Sequence, residues 1–424
     1  MAEEETAFSK LPPRLQENFF ELAEKASLKV YKKLVEEKKA VAELGKHLRF
    51  RKVPRREVKG LRIGVVDGSS SPKLSERLGY RVGVYTASYM VFENDQIISD
   101  EDDESMEAGY IMSPQIGSSL HTRKILSLLC TLLERDLAIK CLEKYDVDLM
   151  VIDGSFYGFR ARCSEIKAKD LNDLDVIYPG NRALKRGWDL IKEVYELSKK
   201  LKRCGKAVAI IKRLRTAAID GWLLTRSWDP EKTLKKNDRL ILKALMKPGE
   251  YFDYMDLLDN RWSYLHYSSL KTWFDEIKRK EGGRFEKLSG DEKLEYAFEY
   301  VHKKLRTQIV TDLAVEKSCA ESLVKEVTSP QRLYVKCSAL ALPTCVELGD
   351  GVDRALTLSY ILSDANPATG LPFPLDLADE NISLDRRMAI EFAEEIEARL
   401  LLNRELEADL IHGEFASINP QKEE

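Results

Sequence analysis

Two stretches of the sequence decide the fold. Each is a short apolar run followed by the same three residues, Asp-Gly-Ser. Residues 61–69 are Leu-Arg-Ile-Gly-Val-Val-Asp-Gly-Ser, and residues 149–155 are Leu-Met-Val-Ile-Asp-Gly-Ser. A short apolar run followed by turn residues is typical of a buried strand, so Asp67 and Asp153 are predicted to lie at the carboxyl ends of two strands. Ligand sites of α/β proteins gather at that edge of the sheet. One Asp-Gly-Ser is adequately explained as a turn, whereas two copies after core strands leave a turn and a shared site equally open.

The residues between and after these stretches predict the rest of an α/β core. Apolar residues at helical spacing distinguish its helices from strands, which are rich in Val, Tyr and Thr. The predicted elements are a strand at 81–92, a loop at 111–117, a helix at 121–144, a basic helix at 182–203 and a strand at 207–211.

Two helical regions lie outside this core. Residues 12–48 are predicted to form one long helix, whose apolar side packs either on the protein's own core or on a partner such as a second copy of the chain. Residues 216–330 contain four of the five tryptophans and are predicted to be a helical insertion. Strand-like alternation returns at 332–348, and a last helix covers 383–402. The predicted division is 1–55, an N-terminal helical segment; 56–215, the first part of the core; 216–330, the insertion; 331–412, the last strands and the C-terminal helix; and 413–424, a tail.

Composition argues against several classes of protein. Of the 424 residues, 44% are apolar and 33% are charged, which is an ordinary globular mixture. No apolar run approaches the roughly 18 residues of a membrane helix, and the acidic start MAEEETAFSK lacks the apolar segment of a signal peptide. We therefore expect a cytoplasmic protein without membrane association. The seven cysteines form no CxxC pair, which argues against a disulfide framework and a structural zinc site.

The net charge of −3 gives no sign of nucleic-acid binding, so any such surface must be local. One candidate is the segment from Arg182 to Arg215, which contains twelve Lys or Arg residues and three acidic residues. The tryptophans of the insertion are open to two interpretations. They either stack unpaired bases or form the core of the insertion.

Glu134 lies on the predicted helix at 121–144 without a basic residue three or four positions away. Its neighbours on that side are mostly apolar, so the carboxylate is predicted to face the core, where a charge needs a partner or a metal. Two aspartates and one glutamate together offer hard oxygen ligands that suit Mg²⁺ or Mn²⁺. Such a site usually serves phosphoryl chemistry.

The order of the elements resembles that of RNase H-like nucleases: a mixed sheet flanked by helices, with acids on two strands, on the helix between them and on a late helix. The motifs resemble one branch, the NurA family of archaeal DNA nucleases, over about residues 60–400. The resemblance rests on Val-Val-Asp67-Gly-Ser, Leu-Leu-Glu134-Arg, Val-Ile-Asp153-Gly-Ser, Ala-Ile-Ile-Lys212, Leu245-Met-Lys-Pro-Gly-Glu-Tyr-Phe and Pro372-Phe-Pro-Leu-Asp-Leu-Ala-Asp379.

The resemblance implies a Mn²⁺-dependent nuclease, with Mg²⁺ as a possible substitute, that cuts single-stranded DNA internally and degrades DNA ends from 5′ to 3′. It also implies a homodimer that works with a HerA-type hexameric translocase in double-strand-break end resection. Asp67, Glu134 and Asp153 match the family's metal-binding acids.

The other candidate site residues are less specific. Some members of the family have a histidine where this chain has Asp379. Asp379 is a candidate for an extra catalytic ligand, and Asp376 is the competing candidate. Capping of the last helix explains either aspartate equally well. Lys212, at a predicted strand end, either contacts the scissile phosphate or is a plain surface lysine. Arg213 and Arg215 are expected to track the DNA backbone with the basic helix, since such contacts give affinity without reading sequence.

Two other functions stay open. One is a non-catalytic subunit that binds DNA ends or acts as an adaptor, against which the intact set of three acids speaks. The other is an RNase H-like nuclease acting on RNA, because the metal chemistry is common to both nucleic acids.

Overall fold

A mixed sheet of twelve strands forms the centre of the computed structural model. The structure describes residues 9–94, 96–99, 105–116, 118–176, 182–258, 261–281, 283–313, 320–402 and 406–418. The strands are β1 (Arg51–Lys52), β2 (Arg62–Ser70), β3 (Ser75–Glu76), β4 (Tyr80–Glu93), β5 (Gln96–Ile97), β6 (Met106–Pro114), β7 (Leu149–Asp153), β8 (Asp175–Val176), β9 (Ala207–Ile211), β10 (Glu250–Asp253), β11 (Gln331–Lys336) and β12 (Thr344–Leu348). The main path of the sheet runs β1-β10-β11-β12-β9-β7-β2-β4-β6-β8, and β3 and β5 both pair with β4.

Helices cover both faces of this sheet, which confirms the predicted fold class. Among the described residues, no helix combines the length and the apolarity that a membrane crossing requires. The helices are α1 (Pro13–Gly45), α2 (Ser119–Lys144), α3 (Gly187–Arg203), α4 (Ala218–Ser227), α5 (Asp238–Leu245), α6 (Tyr264–Glu281), α7 (Arg284–Lys287), α8 (Gly290–Leu313), α9 (Ala320–Thr328), α10 (Arg354–Ser363), α11 (Phe373–Ile382), α12 (Met388–Leu401) and α13 (Ala408–Phe415).

The three central strands are parallel, and both of their faces are buried. β7 pairs in parallel with β2 on one side and with β9 on the other, whereas the outer strands are antiparallel. Strands covered on both faces are apolar throughout rather than alternating. Val66 on β2 therefore packs into the larger core with α2 and α3, while Val65 packs into a second core with α10 and α11. The carboxyl ends of these parallel strands lie between the two layers of helices.

The helical region at 216–330 is continuous with the sheet. Its strand β10 pairs with β1 and β11, and buried residues of α6 and α8 belong to the larger core, among them Leu270 and Phe298. Trp222 is buried in that core, and the side chains at 228, 262 and 273 are half-buried against it. The tryptophans therefore pack as core residues in this structure.

Several local expectations were wrong. The predicted loop at 111–117 belongs mostly to β6, which is a strand because it pairs with β4 over its whole length. The helix expected at 383–402 begins only at Met388, and the preceding Leu-Pro-Phe-Pro stretch instead starts α11. The basic helix begins at Gly187 rather than at Arg182, because the isolated bridge between Asp170 and Arg186 holds the preceding residues extended.

The long helix α1 does not pack its apolar side on the protein's own core. Leu44 near its end is buried, but Phe20, Leu28 and Tyr31 are 62%, 59% and 67% exposed. The first of the two alternatives for this helix is therefore wrong over most of its length. Its exposed apolar side is the kind of surface that a partner covers.

Candidate metal centre

Three aspartates from distant parts of the chain meet at the edge of the parallel strands. Asp67 and Asp153 are neighbours because Val66 on β2 is in register with Ile152 on β7. Asp379 reaches them from α11, which packs across β2. Each aspartate places one carboxylate oxygen within 4.8 Å of the others. The Asp67 side chain is 2% exposed, that of Asp153 is 25% exposed and that of Asp379 is 65% exposed, so the cluster extends from the protein interior to solvent.

The two Asp-Gly-Ser segments, identical in sequence, have different conformations. After β7 the chain turns, with Gly154 at φ +81° as only glycine adopts freely. After Asp67 the strand does not end: Gly68 and Ser69 continue β2, because the long strand β4 pairs with them. The prediction that the strand ends at Asp67 was therefore wrong, since β2 continues to pair with β4 beyond it. The parallel pairing of β2 with β7, however, does end at Val66, directly before Asp67.

Lys212 lies at the centre of the acidic cluster. It follows β9, the strand next to β7, and its Nζ is 3.0 Å from Asp67 Oδ2, 3.3 Å from Asp153 Oδ2 and 2.9 Å from Asp379 Oδ1. Burial acts to lower the pKa of Lys212, but the carboxylates of Asp153 and Asp67 raise it above its ordinary value. The lysine is 21% exposed. It is therefore a charged member of the cluster and not a plain surface lysine.

The three aspartates are electrostatically unequal. Burial, together with the charge of Asp153, raises the pKa of Asp67 far above its ordinary value in spite of the opposing charge of Lys212. Burial also acts to raise the pKa of Asp379, but the hydrogen bond from Lys212 lowers it overall. The innermost carboxylate is thus the one most in need of additional positive charge.

Glu134 faces the cluster from the opposite layer of helices. A Cβ added to Gly68 would lie 2.5 Å from both Cγ and Oε1 of Glu134, so the glutamate side chain lies directly against the strand at the residue after Asp67. Burial raises the pKa of Glu134 to about 7, with Arg135 lowering it and Asp153 raising it further. Glu134 is not among the side chains whose oxygens all lie within 4.8 Å. It borders the cluster without joining that set.

Two buried residues that the sequence did not reveal hold the turn after Asp153. Arg135, 2% exposed, has Nη1 3.9 Å from Glu134 Oε2, and its Nη2 donates to the carbonyl of Ser155 at 3.3 Å. Glu347 on β12, fully buried, accepts from Ser155 Oγ at 2.8 Å and from the backbone N–H of Phe156 at 3.1 Å. The only sequence signal for Arg135 was its position directly after Glu134.

The remaining candidate residues, Asp376, Arg213 and Arg215, lie outside the acidic cluster. Asp376 accepts hydrogen bonds from Asn366 Nδ2 at 2.8 Å and Thr369 Oγ1 at 2.7 Å, so it holds the loop before α11 and is not in the cluster. Arg213 and Arg215 are exposed, and neither forms an ion pair within the described part of the chain. The charge of Arg213 contributes to the lowered pKa of Asp379, which places it beside the site.

The donor set fits a hard divalent cation. The carboxylates of Asp67, Asp153 and Asp379 share one ammonium group, that of Lys212, so the inner part of the cluster is short of positive charge. All of its donors are oxygen atoms, which suit Mg²⁺ and Mn²⁺ better than soft metals. A site of this kind at the ends of parallel strands suits metal-assisted phosphoryl chemistry, the class of reaction that metal-dependent nucleases catalyse.

Comparison with known families agrees with that class. The NurA domain matches residues 61–384, most of the chain, and the protein belongs to the NurA family. The crystal structure of the NurA nuclease from Sulfolobus solfataricus is similar with a TM-score of 0.53 and 10% identity, over 92% of this chain and 98% of that chain, a likeness that shows the fold.

Two further NurA structures have a TM-score of 0.47. One is bound to dAMP and manganese, at 11% identity over 93% of this chain and 98% of that one; the other contains manganese, at 12% identity over 91% and 99%. No curated protein matches this sequence.

Proposed function

We propose that the protein is a DNA nuclease whose catalytic divalent ions, Mn²⁺ or alternatively Mg²⁺, are held by Asp67, Asp153, Glu134 and Asp379. One observation carries the proposal: carboxylates from β2, β7 and α11 converge within 4.8 Å at the edge of the parallel strands. Like charges placed so close together repel unless a proton or a cation compensates them. Lys212 supplies one positive charge, and a divalent ion would supply the rest. Membership of the NurA family supports the same activity.

The residues divide the chemistry among them. Asp67 and Asp153, fixed on adjacent parallel strands, would hold the ion, with Glu134 on the α2 side and Asp379 on the α11 side as further ligands. A divalent ion bound there would activate water and stabilise the leaving oxygen of a phosphodiester. Lys212 has an ammonium group to bind a phosphate oxygen, and the buried pair Arg135 and Glu347 keeps the Asp153 turn in place.

Fewer basic residues are available to bind DNA than the basic segment from Arg182 to Arg215 indicates. Within that segment Arg182, Lys200 and Lys206 already pair with Asp136, Glu143 and Asp146, respectively. Paired cations have less to gain from a phosphate. We therefore assign backbone contacts along the DNA first to Arg213 and Arg215; such contacts attract DNA without regard to sequence. Lys212, which is paired within the cluster, is assigned only to the phosphate at the site itself.

The finer assignments follow the family. They are internal cutting of single-stranded DNA, 5′ to 3′ degradation of ends, homodimer formation, cytoplasmic location and cooperation with a HerA-type translocase in double-strand-break end resection. The exposed apolar side of α1 supports partner binding without identifying the partner. A catalytically silent DNA-end adaptor and an RNA-directed nuclease are the competing assignments.

A single experiment separates these functions. Purified protein is incubated with single-stranded DNA and RNA of the same sequence and labelled at either end, in Mn²⁺, in Mg²⁺ and in EDTA. We expect Mn²⁺-dependent cleavage of DNA and none in EDTA. Cleavage of RNA alone would identify the RNA-directed enzyme, and DNA binding without cleavage in any divalent ion would identify the adaptor.

A further inference from the structure

Lys212 occupies the position in which a cation is best stabilised by the cluster. Its Nζ lies 2.9–3.3 Å from oxygens of Asp67, Asp153 and Asp379, the same three side chains whose oxygens could hold a metal ion. The Asp67 side chain, 2% exposed, has little access to water that could stabilise its charge instead. Without the ammonium group the inner carboxylates would face each other uncompensated.

The lysine and a divalent ion compete for the same place between the carboxylates. A metal ligand of this type binds at about 2.0–2.6 Å, so an ion bound by the Oδ2 atoms of Asp67 and Asp153 would lie close to the ammonium group, which is now 3.0 and 3.3 Å from those two atoms. Two cations at that separation also repel one another. Since Lys212 is a compact charge on a flexible four-carbon stem, it can leave the cluster without any movement of β9.

We propose that Lys212 is an internal counter-ion that a divalent metal ion must displace, so that this lysine sets the metal affinity of the site. The inference rests on the proposed metal-dependent function and adds an exchange step to it. The metal-free protein keeps its acidic cluster together with Lys212. Metal loading then releases the ammonium group at the mouth of the same site, where it becomes free to bind a phosphate.

The exchange has a direct consequence for the metal-free state. Replacing Lys212 by glutamine removes the competing charge and leaves the carboxylates unneutralised, so the metal-free protein loses stability. The same replacement makes metal binding more favourable, because no ion pair has to be broken. Loss of a residue that helps to hold the metal would have the opposite two effects: weaker metal binding and no loss of stability in the metal-free protein.

The test is calorimetric titration of Mn²⁺ alone, without DNA, into the wild-type protein and two variants. Lys212→Gln tests the exchange. Lys206→Gln is the matched control: it changes the same residue type at the other end of β9, where Lys206 pairs with the exposed Asp146 at 3.0 Å, and it lowers the net charge equally. Thermal unfolding of the metal-free proteins is measured in parallel.

We expect Lys212→Gln to bind Mn²⁺ at least about tenfold more tightly than wild type, equivalent to about 1.4 kcal/mol, and to unfold at a lower temperature without metal. Lys206→Gln should match wild type in affinity. If Lys212→Gln is unfolded without metal, Mn²⁺ must raise its unfolding temperature by more than it raises that of wild type. Unchanged or weaker Mn²⁺ binding by Lys212→Gln overturns the exchange and leaves the metal site intact, whereas absence of Mn²⁺ binding by wild type overturns the proposed metal site as well.

Discussion

Gly68→Ala tests whether Glu134 acts in the cluster, because it moves the glutamate without changing any charged residue. The added Cβ would lie 2.5 Å from Glu134 Cγ and Oε1 and 2.9 Å from Cys130 Sγ. Ordinary contacts of a Cβ begin near 3.4 Å, so the glutamate must retreat by about 1 Å. Metal–oxygen distances tolerate shifts of only about 0.2 Å. The carboxylate is therefore expected to leave the metal-binding position.

The magnitude follows from that displacement. A misplacement of about 1 Å at a catalytic centre can lower the rate by about a hundredfold, and forcing an extra methyl group into a packed region costs about 1–3 kcal/mol of stability. We expect Gly68→Ala to cleave DNA about a hundredfold more slowly than wild type and to remain folded. Gly413→Ala is the control, since a Cβ at Gly413 meets no atom within 4 Å.

The assay is a double-mutant cycle with Glu134→Gln, measuring Mn²⁺-dependent cleavage of single-stranded DNA and unfolding in denaturant. If both changes act through the same carboxylate, the double variant should be little worse than Glu134→Gln alone. Near wild-type cleavage by folded Gly68→Ala, or fully additive losses in the cycle, would refute the assignment of Glu134.

Three other variants probe separate parts of the account. Asp67→Asn should lower cleavage by more than about a hundredfold yet keep DNA binding, because an amide cannot replace a carboxylate at a hard cation; cleavage and binding titrations on folded protein check this, and near wild-type cutting contradicts it. Arg213→Glu combined with Arg215→Glu should weaken binding to single strands and reduce its salt dependence by about 0.7 for each phosphate that the protein no longer neutralises; an unchanged salt slope places the DNA elsewhere. His266, 4% exposed, is the third: burial and then the charge of His302 lower its pKa to about 4, against about 6.5 in the unfolded chain. Between pH 4 and pH 6.5 the folded protein binds fewer protons at His266 than the unfolded chain does. The free energy of unfolding therefore falls as the pH is lowered from about 6.5 to about 4, by up to about 3 kcal/mol. Denaturant unfolding at pH 7 and pH 4.5 should show a smaller decrease for His266→Gln, and an identical decrease refutes the effect.

The paired strands of the site could be predicted because their signals are local. The apolar runs before Asp67 and Asp153 each fit one short buried strand, and parallel pairing then brings the two aspartates together. The strand β6 was missed because its side chains are mostly half-buried and include Glu107 and Gly109 without clear alternation. Its pairing with β4 is a long-range interaction that its own residues do not encode.

The late acid could not be chosen from sequence. Asp376 and Asp379 are three residues apart on α11, and both precede or follow apolar residues at helical spacing. Only the way α11 lies across β2 turns Asp379 towards Lys212 and leaves Asp376 to the loop at 366–369. The same limit applies to Glu347, whose role depends on the turn that Ser155 makes almost two hundred positions away.

The most direct measurement of the central claim is the position of bound manganese. Crystals of the protein grown with Mn²⁺ are measured at the manganese absorption edge, and the anomalous difference map locates the ions independently of any assumed ligands. The account predicts a peak coordinated by carboxylate oxygens of both Asp67 and Asp153, with Lys212 Nζ displaced from its present contacts. Manganese bound only elsewhere, or no peak at a Mn²⁺ concentration that supports cleavage in solution, would contradict it.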